Sequence, residues 1–293
     1  MLRRLFFVAV IAGLVVGGCS QSDDATSDET TATTVAPTTT NAPTTTATTI
    51  APTTTTASAT AGLGCEVLHA PGEYEGVGSY GDLDQPYSMV VPDSYSEIAP
   101  APLYLQLASG SGSHTVFLAG WRPYLDDLDG LMVMVDLTDP ARGTPDAVLA
   151  LVDQISTEYC VNLQRVHVMG TAWTAPLAEA IACEDSESIA SFVSALSNAA
   201  IDIECEPSRP VPLLTFTGDT DRALTADVVD RWAAINGCAA EPLVVDLGSG
   251  VARKTYQNCH ADISFFDIEG MGHGWPLHEA KGPAADWILS LIH

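Results

Sequence analysis

Along most of the chain, short apolar runs alternate with longer stretches in which apolar residues recur every three or four positions. The runs 87–92 (YSMVVP), 102–108 (PLYLQLA), 130–136 (GLMVMVD), 165–170 (RVHVMG), 211–219 (VPLLTFTGD) and 263–270 (ISFFDIEG) are bounded by Gly, Pro or Asp. They read as short buried strands. Between them, 144–160, 175–184, 225–236 and 282–292 carry helical spacing. Thr144 is placed to cap the first of these helices, with Pro145 in its first turn. Strands alternating with helices of this length predict an α/β fold: a mostly parallel sheet with helices on both faces. In such a sheet a functional site gathers where the strands end at their carboxyl edge. That edge would collect residues 109–113, 170–174, 218–221 and 272–275.

The first 62 residues follow neither pattern. Arg3 and Arg4 precede an apolar run from Leu5 to Val16, then Gly17, Gly18 and Cys19. The run is shorter than the roughly 20 residues a spanning helix requires, and reads as an export signal. VGGC resembles the lipobox of bacterial lipoproteins, so residues 1–19 are expected to be a lipoprotein signal peptide, with Cys19 lipidated. Residues 20–62 repeat Pro-Thr-Thr-Thr and contain no aromatic side chain, which leaves nothing to build a core from. A disordered Thr/Pro/Ala-rich linker is the expectation there, followed by one globular domain over 63–293.

Charge and cysteine content narrow the setting. The chain carries 37 acidic residues against 11 basic ones; loss of the leader with Arg3 and Arg4 leaves a net charge of −28. Nucleic acid is therefore not an expected partner, and contact with a membrane is expected through the lipid anchor alone. Beyond Cys19 there are six cysteines, an even number that fits disulfides in an exported domain. The pairing expected is Cys183 with Cys205, Cys238 with Cys259, and Cys65 with Cys160, although the count alone leaves other connectivities open. None of these spacings is that of a zinc or CxxC redox site, and the histidines form no ligand cluster. No metal or cofactor is expected.

The order of EYCVNLQRVHVMG, APLAEAIACE, PVPLLTFTGDTD, WAAINGC, TYQNC and IEGMGHGWP resembles secreted esterases of the polyhydroxybutyrate depolymerase and feruloyl esterase kind, which are α/β-hydrolases. The resemblance runs from about Tyr87 to Ile292. It implies an α/β-hydrolase fold stabilised by disulfides, with Asp221 as the acid and His273 as the base. In that family the strand-to-helix turn reads Gly-x-Ser-x-Gly, the serine being the nucleophile and the following backbone N–H an oxyanion donor. Here GTAWT keeps Gly170, places Ala172 where the serine stands, and puts Thr174 at the second glycine. Trp173 would still offer the donor N–H. The loop ASGSGSH, with Gly110 and Ser111, lacks the His-Gly step that the resemblance implies, and Trp275 is expected beside the cleft.

Alanine has no atom that attacks a carbonyl carbon. The chain is accordingly expected to be a cell-surface lipoprotein whose esterase-like domain lacks ordinary serine-esterase activity and binds an ester, glycan or polymer as a pseudoenzyme. An active ester hydrolase with a displaced nucleophile at Ser109, Ser111 or Ser113 is one alternative. A surface scaffold for a protein partner is the other.

Overall fold

The computed structural model describes residues 61–80, 83–110, 113–122, 129–137, 143–197, 199, 201 and 204–273. The leader, Cys19, the linker up to residue 60, Ser111, Trp275 and the helix expected over 282–292 lie outside them.

In chain order the elements are β1 (Gly72–Tyr80), β2 (Leu83–Val91), β3 (Ala101–Ser109), α1 (Ser113–Trp121), β4 (Leu131–Leu137), α2 (Pro145–Glu158), β5 (Val161–Thr171), α3 (Ala175–Glu184), β6 (Ser191–Ala195), β7 (Leu213–Thr217), α4 (Arg222–Ile235), β8 (Leu243–Gly248), β9 (Val251–Thr255) and β10 (Ile263–Ile268). The strands form one sheet in the order β1-β2-β4-β3-β5-β6-β7-β10-β9-β8. The six strands from β4 to β10 in that order are parallel. They are joined by chain segments that cross over the sheet, as parallel neighbours require.

The parallel strands are continuous apolar runs because both faces are covered. Leu103, Leu105 and Leu107 of β3 pack on one side with Val148, Leu151 and Ile155 of α2, Ile181 of α3 and Trp232 of α4. On the other side, Tyr104 and Ala108 of β3 share a core with Phe117, Leu118 and Trp121 of α1. Each of these aliphatic side chains, once fully buried, contributes about 1.5–3 kcal/mol. Thr144 caps α2 as the sequence suggests, its side chain accepting from the N–H of Ala147.

Each of the six expected strands exists, but the sheet is wider than expected. The run at 87–92 belongs to β2, which is antiparallel to its neighbours β1 and β4. β8 and β9 form an antiparallel hairpin on the far side of β10. Strand β1, with GEYEGVGSY, and the hairpin strands LVVDLG and VARKT mix charges and glycines with apolar residues, so no clear run marks them. Their place is set by pairing with β2 and β10.

The three expected cysteine pairs are the disulfides seen: Cys65–Cys160, Cys183–Cys205 and Cys238–Cys259. Cys65–Cys160 holds the segment before β1 against the amino end of β5, reinforced by backbone bonds from Gly62 N–H to Val161 O and Gly64 N–H to Ser156 O.

Candidate active site

At the carboxyl end of β5 the chain turns directly into α3. Thr171 is the last strand residue, Ala172–Thr174 make one turn of 3-10 helix, and Ala175 opens α3. Ala172 has φ +54°, the left-handed conformation that costs an L-residue about 1–2 kcal/mol. This is the strained elbow on which a nucleophile is raised in hydrolases of this architecture, and here it raises a partly exposed methyl group. The turn is tight enough to require Gly170, because a Cβ there would lie 2.2 Å from the carbonyl oxygen of Thr174.

Thr174 explains how the turn holds without its second glycine. Its buried Oγ1 accepts the N–H of Thr171 at 2.9 Å and shares its one proton between the carbonyl oxygens of Leu107 at 2.7 Å and Thr171 at 2.8 Å. One hydroxyl thus fastens the elbow to β3. Neither threonine flanking Ala172 stands in as a nucleophile: both side chains are buried, that of Thr174 bonded to the backbone of the turn and of β3.

Asp221 and His273 come together 52 residues apart in sequence. His273 Nδ1 donates to Asp221 Oδ1 at 3.0 Å. Asp221 follows β7 at the start of α4 and is only 7% exposed, whereas the His273 side chain after β10 is 40% exposed. The second carboxylate oxygen, Asp221 Oδ2, is buried with no partner among the described residues. With Nδ1 committed to the carboxylate, Nε2 is the ring atom left to take up a proton.

The structure also separates the two acids of the GDTD stretch. Asp219 Oδ2 accepts the N–H of Gly270 at 3.0 Å, its Oδ1 accepts from Arg222 Nη2 at 3.0 Å, and its own N–H donates to Met271 O. Asp219 therefore ties the loop after β7 to the loop after β10. That tie, with Gly218 pressed against Met271 O, sets His273 beside Asp221.

Arg222 goes on to Asp267, whose other oxygen takes Lys254 Nζ at 3.0 Å. Burial by itself would raise the Asp267 carboxyl, and the bonds from Arg222 and Lys254 outweigh it, holding the group below the usual carboxylate range. Asp219, Asp246, Asp267, Glu269 and Arg222 line an open, predominantly acidic depression next to the pair. Spacing in the sequence carries no signal of this network, since its members lie on β7–α4, β9 and β10.

On the opposite flank, Gly110 sits at the end of β3 with φ +109°. Its N–H donates to Leu137 O at 3.1 Å, so this backbone donor is spent on the adjoining strand and is not available to an oxyanion. Trp173 is half-buried against the core on the α2, α3 and α4 side. Of the residues named as alternative nucleophiles, Ser109 ends β3 and Ser113 opens α1. Among the described residues no group of three or more His, Cys, Asp or Glu side chains is arranged to hold a metal ion.

A parallel sheet covered on both faces, a strained elbow after its central strand β5, and an Asp–His pair after later strands define an α/β-hydrolase fold. No family model matches the sequence. Feruloyl esterase B from Piromyces equi is 24% identical over 147 residues, 42% of this chain and 27% of that protein, so the match spans about a quarter of the relative's length. Among solved structures, acetyl xylan esterase from Aspergillus awamori superimposes with a TM-score of 0.58 at 12% identity, covering 75% of this chain and 99% of that one. A serine-to-alanine mutant of the feruloyl esterase module from Clostridium thermocellum, complexed with sinapinate, gives 0.54 at 9% identity over 76% of this chain and 87% of that one. S-formylglutathione hydrolase from Staphylococcus aureus gives 0.53 at 12% identity, covering 76% and 99%. The domain has the α/β-hydrolase fold that these esterases and this hydrolase share.

Proposed function

We propose that this chain is a lipid-anchored cell-surface protein whose esterase-like cleft binds an ester, on a small molecule, glycan or polymer, without forming an acyl-enzyme. The observation that carries the reading is Ala172: it occupies the strained elbow at φ +54°, in a fold that also assembles the Asp221–His273 pair, and has no nucleophilic atom. In serine hydrolases removal of the nucleophile costs on the order of 10⁶ in turnover. Binding does not need that atom. The neighbouring feruloyl esterase module, studied as a serine-to-alanine mutant complexed with sinapinate, supports that distinction for a related cleft.

The test pairs a covalent probe with a binding measurement on the purified chain. A fluorophosphonate probe is expected to leave the wild type unlabelled and to label Ala172→Ser, while titration with methyl sinapate gives saturable quenching of tryptophan fluorescence in both. Labelling of the wild type at Ser109, Ser111 or Ser113 would establish a displaced nucleophile instead. Absence of saturable ester binding would point to a scaffold whose partner docks elsewhere.

A further inference from the structure

We infer that the Asp221–His273 pair acts as a general base on water, giving slow hydrolysis of a bound ester with no covalent intermediate. This rests on the proposed reading that the cleft receives an ester. A pure binding domain has no use for two features held at this rim. Asp221 is a nearly buried carboxylate with one oxygen on His273 and the other without a partner among the described residues, an arrangement unfavourable to folding. Ala172 adds the strain of its left-handed backbone. Unfavourable arrangements of this kind persist where they are used.

The geometry leaves the chemistry one route. His273 is two-fifths exposed, so water reaches the imidazole, and its Nδ1 is fixed by Asp221, which orients Nε2 as the proton acceptor. A water at the exposed Nε2 gives its proton to that nitrogen as its oxygen bonds to the ester carbonyl carbon, and the carbonyl electron pair moves onto the carbonyl oxygen. Collapse of the tetrahedral species reforms the C=O and breaks the bond to the alkoxy oxygen, which takes the proton back from Nε2. The products are the carboxylic acid and the alcohol. Asp221 stays ionised throughout as a positioning residue, and His273 returns to its starting state.

A single positioned base contributes about 10²–10⁴-fold, far below the loss caused by removing the serine. The expected rate is therefore small but saturable.

The experiment follows p-nitrophenyl acetate hydrolysis by the purified chain, with stopped-flow detection of any burst and intact-mass analysis of quenched protein. Methyl sinapate binding is measured on the same preparation. Expected are linear progress curves, no acyl adduct, a saturable rate at least 100-fold above buffer, and a solvent deuterium isotope effect above unity. His273→Gln should lower kcat at least tenfold, and Asp221→Asn should lower kcat with little change in KM, both in protein shown by circular dichroism to be folded. A loss of structure alone would move KM and the melting curve together. A burst with an acyl adduct, or a rate indifferent to both substitutions, overturns the inference. No turnover with binding intact overturns the inference and leaves the binding reading standing; no turnover and no binding removes both.

Discussion

A Cβ added at Gly170 would stand 2.2 Å from the carbonyl oxygen of Thr174, four residues on and across the turn from β5 into α3. The clash is with backbone, so no rotamer change relieves it. Gly170→Ala is expected to lower unfolding stability by about 1–3 kcal/mol, in the range of overpacked sites, as read from urea denaturation. Ala172→Gly should act in the opposite sense and raise stability by about 1 kcal/mol, because glycine adopts φ +54° without strain. A loss on Ala172→Gly would show that the left-handed backbone is not strained in solution.

The Asp221–His273 bond is expected to reveal itself most strongly once a nucleophile is supplied. In an Ala172→Ser background, adding Asp221→Asn should reduce kcat for p-nitrophenyl butyrate by about 10⁴-fold, since the amide favours the wrong histidine tautomer. Asp219→Asn should have a smaller effect on kcat and a clearer one on stability, because Asp219 holds the two loops together through Gly270 and Arg222. Steady-state kinetics and denaturation of these three proteins check the assignment of the two acids.

The imidazole of His167 lies stacked on the ring of Tyr104, centroids 5.0 Å apart, with its Nδ1 at 2.7 Å from Ser191 Oγ. Burial, and secondarily the nearby Arg165, pushes its pKa down to about 3. An unfolded histidine titrates near 6.5, so between those values the unfolded chain binds a proton that the folded chain refuses. Stability is thus intact above pH of about 6.5 and declines as pH falls toward about 3, by about 1.4 kcal/mol per unit at most. His167→Gln should flatten that decline while lowering stability at neutral pH. Urea unfolding at a series of pH values from neutral to acid tests the slope.

Cys65–Cys160 closes 95 residues, against 22 and 21 for the other two disulfides. On chain-entropy grounds its removal by the double Cys65→Ser, Cys160→Ser change should cost about 4–5 kcal/mol, and each shorter bridge about 3. Denaturation of the three double mutants gives the ranking. It should also show the Cys65–Cys160 pair holding residues 61–70, since His69 Nε2 meets Glu158 O and its ring stacks on Tyr159 only while that segment stays docked.

Much of the architecture was legible because burial on both faces forces continuous apolar strands. The runs that became β3, β4, β5, β7 and β10 could be read directly, as could α2, α3 and α4. Strand β6, SFVSA, is interrupted by serines and shows no continuous apolar run, and strands β1, β8 and β9, outside the parallel core, mix polar with apolar residues and carry no run either. The site was legible only in part. Asp221 and His273 were marked by the resemblance carried by GDTD and GMGHGWP, whereas Thr174's bond to Leu107 and the tie from Asp219 to Gly270 join elements that spacing cannot relate.

The sequence by itself determined the chemistry available: an alanine where an attacking hydroxyl would be needed, six cysteines for three bridges, and an acid and a histidine after late strands. Those are properties of residue type and periodicity, which depend on local composition. Only the tertiary structure decided that Ala172 sits in a left-handed elbow, that Asp221 rather than Asp219 meets His273, and that the Gly110 N–H is already spent on Leu137. Each of these depends on which strand lies beside which. That order is set by long-range pairing and packing of the whole sheet, to which no single stretch of the chain has access.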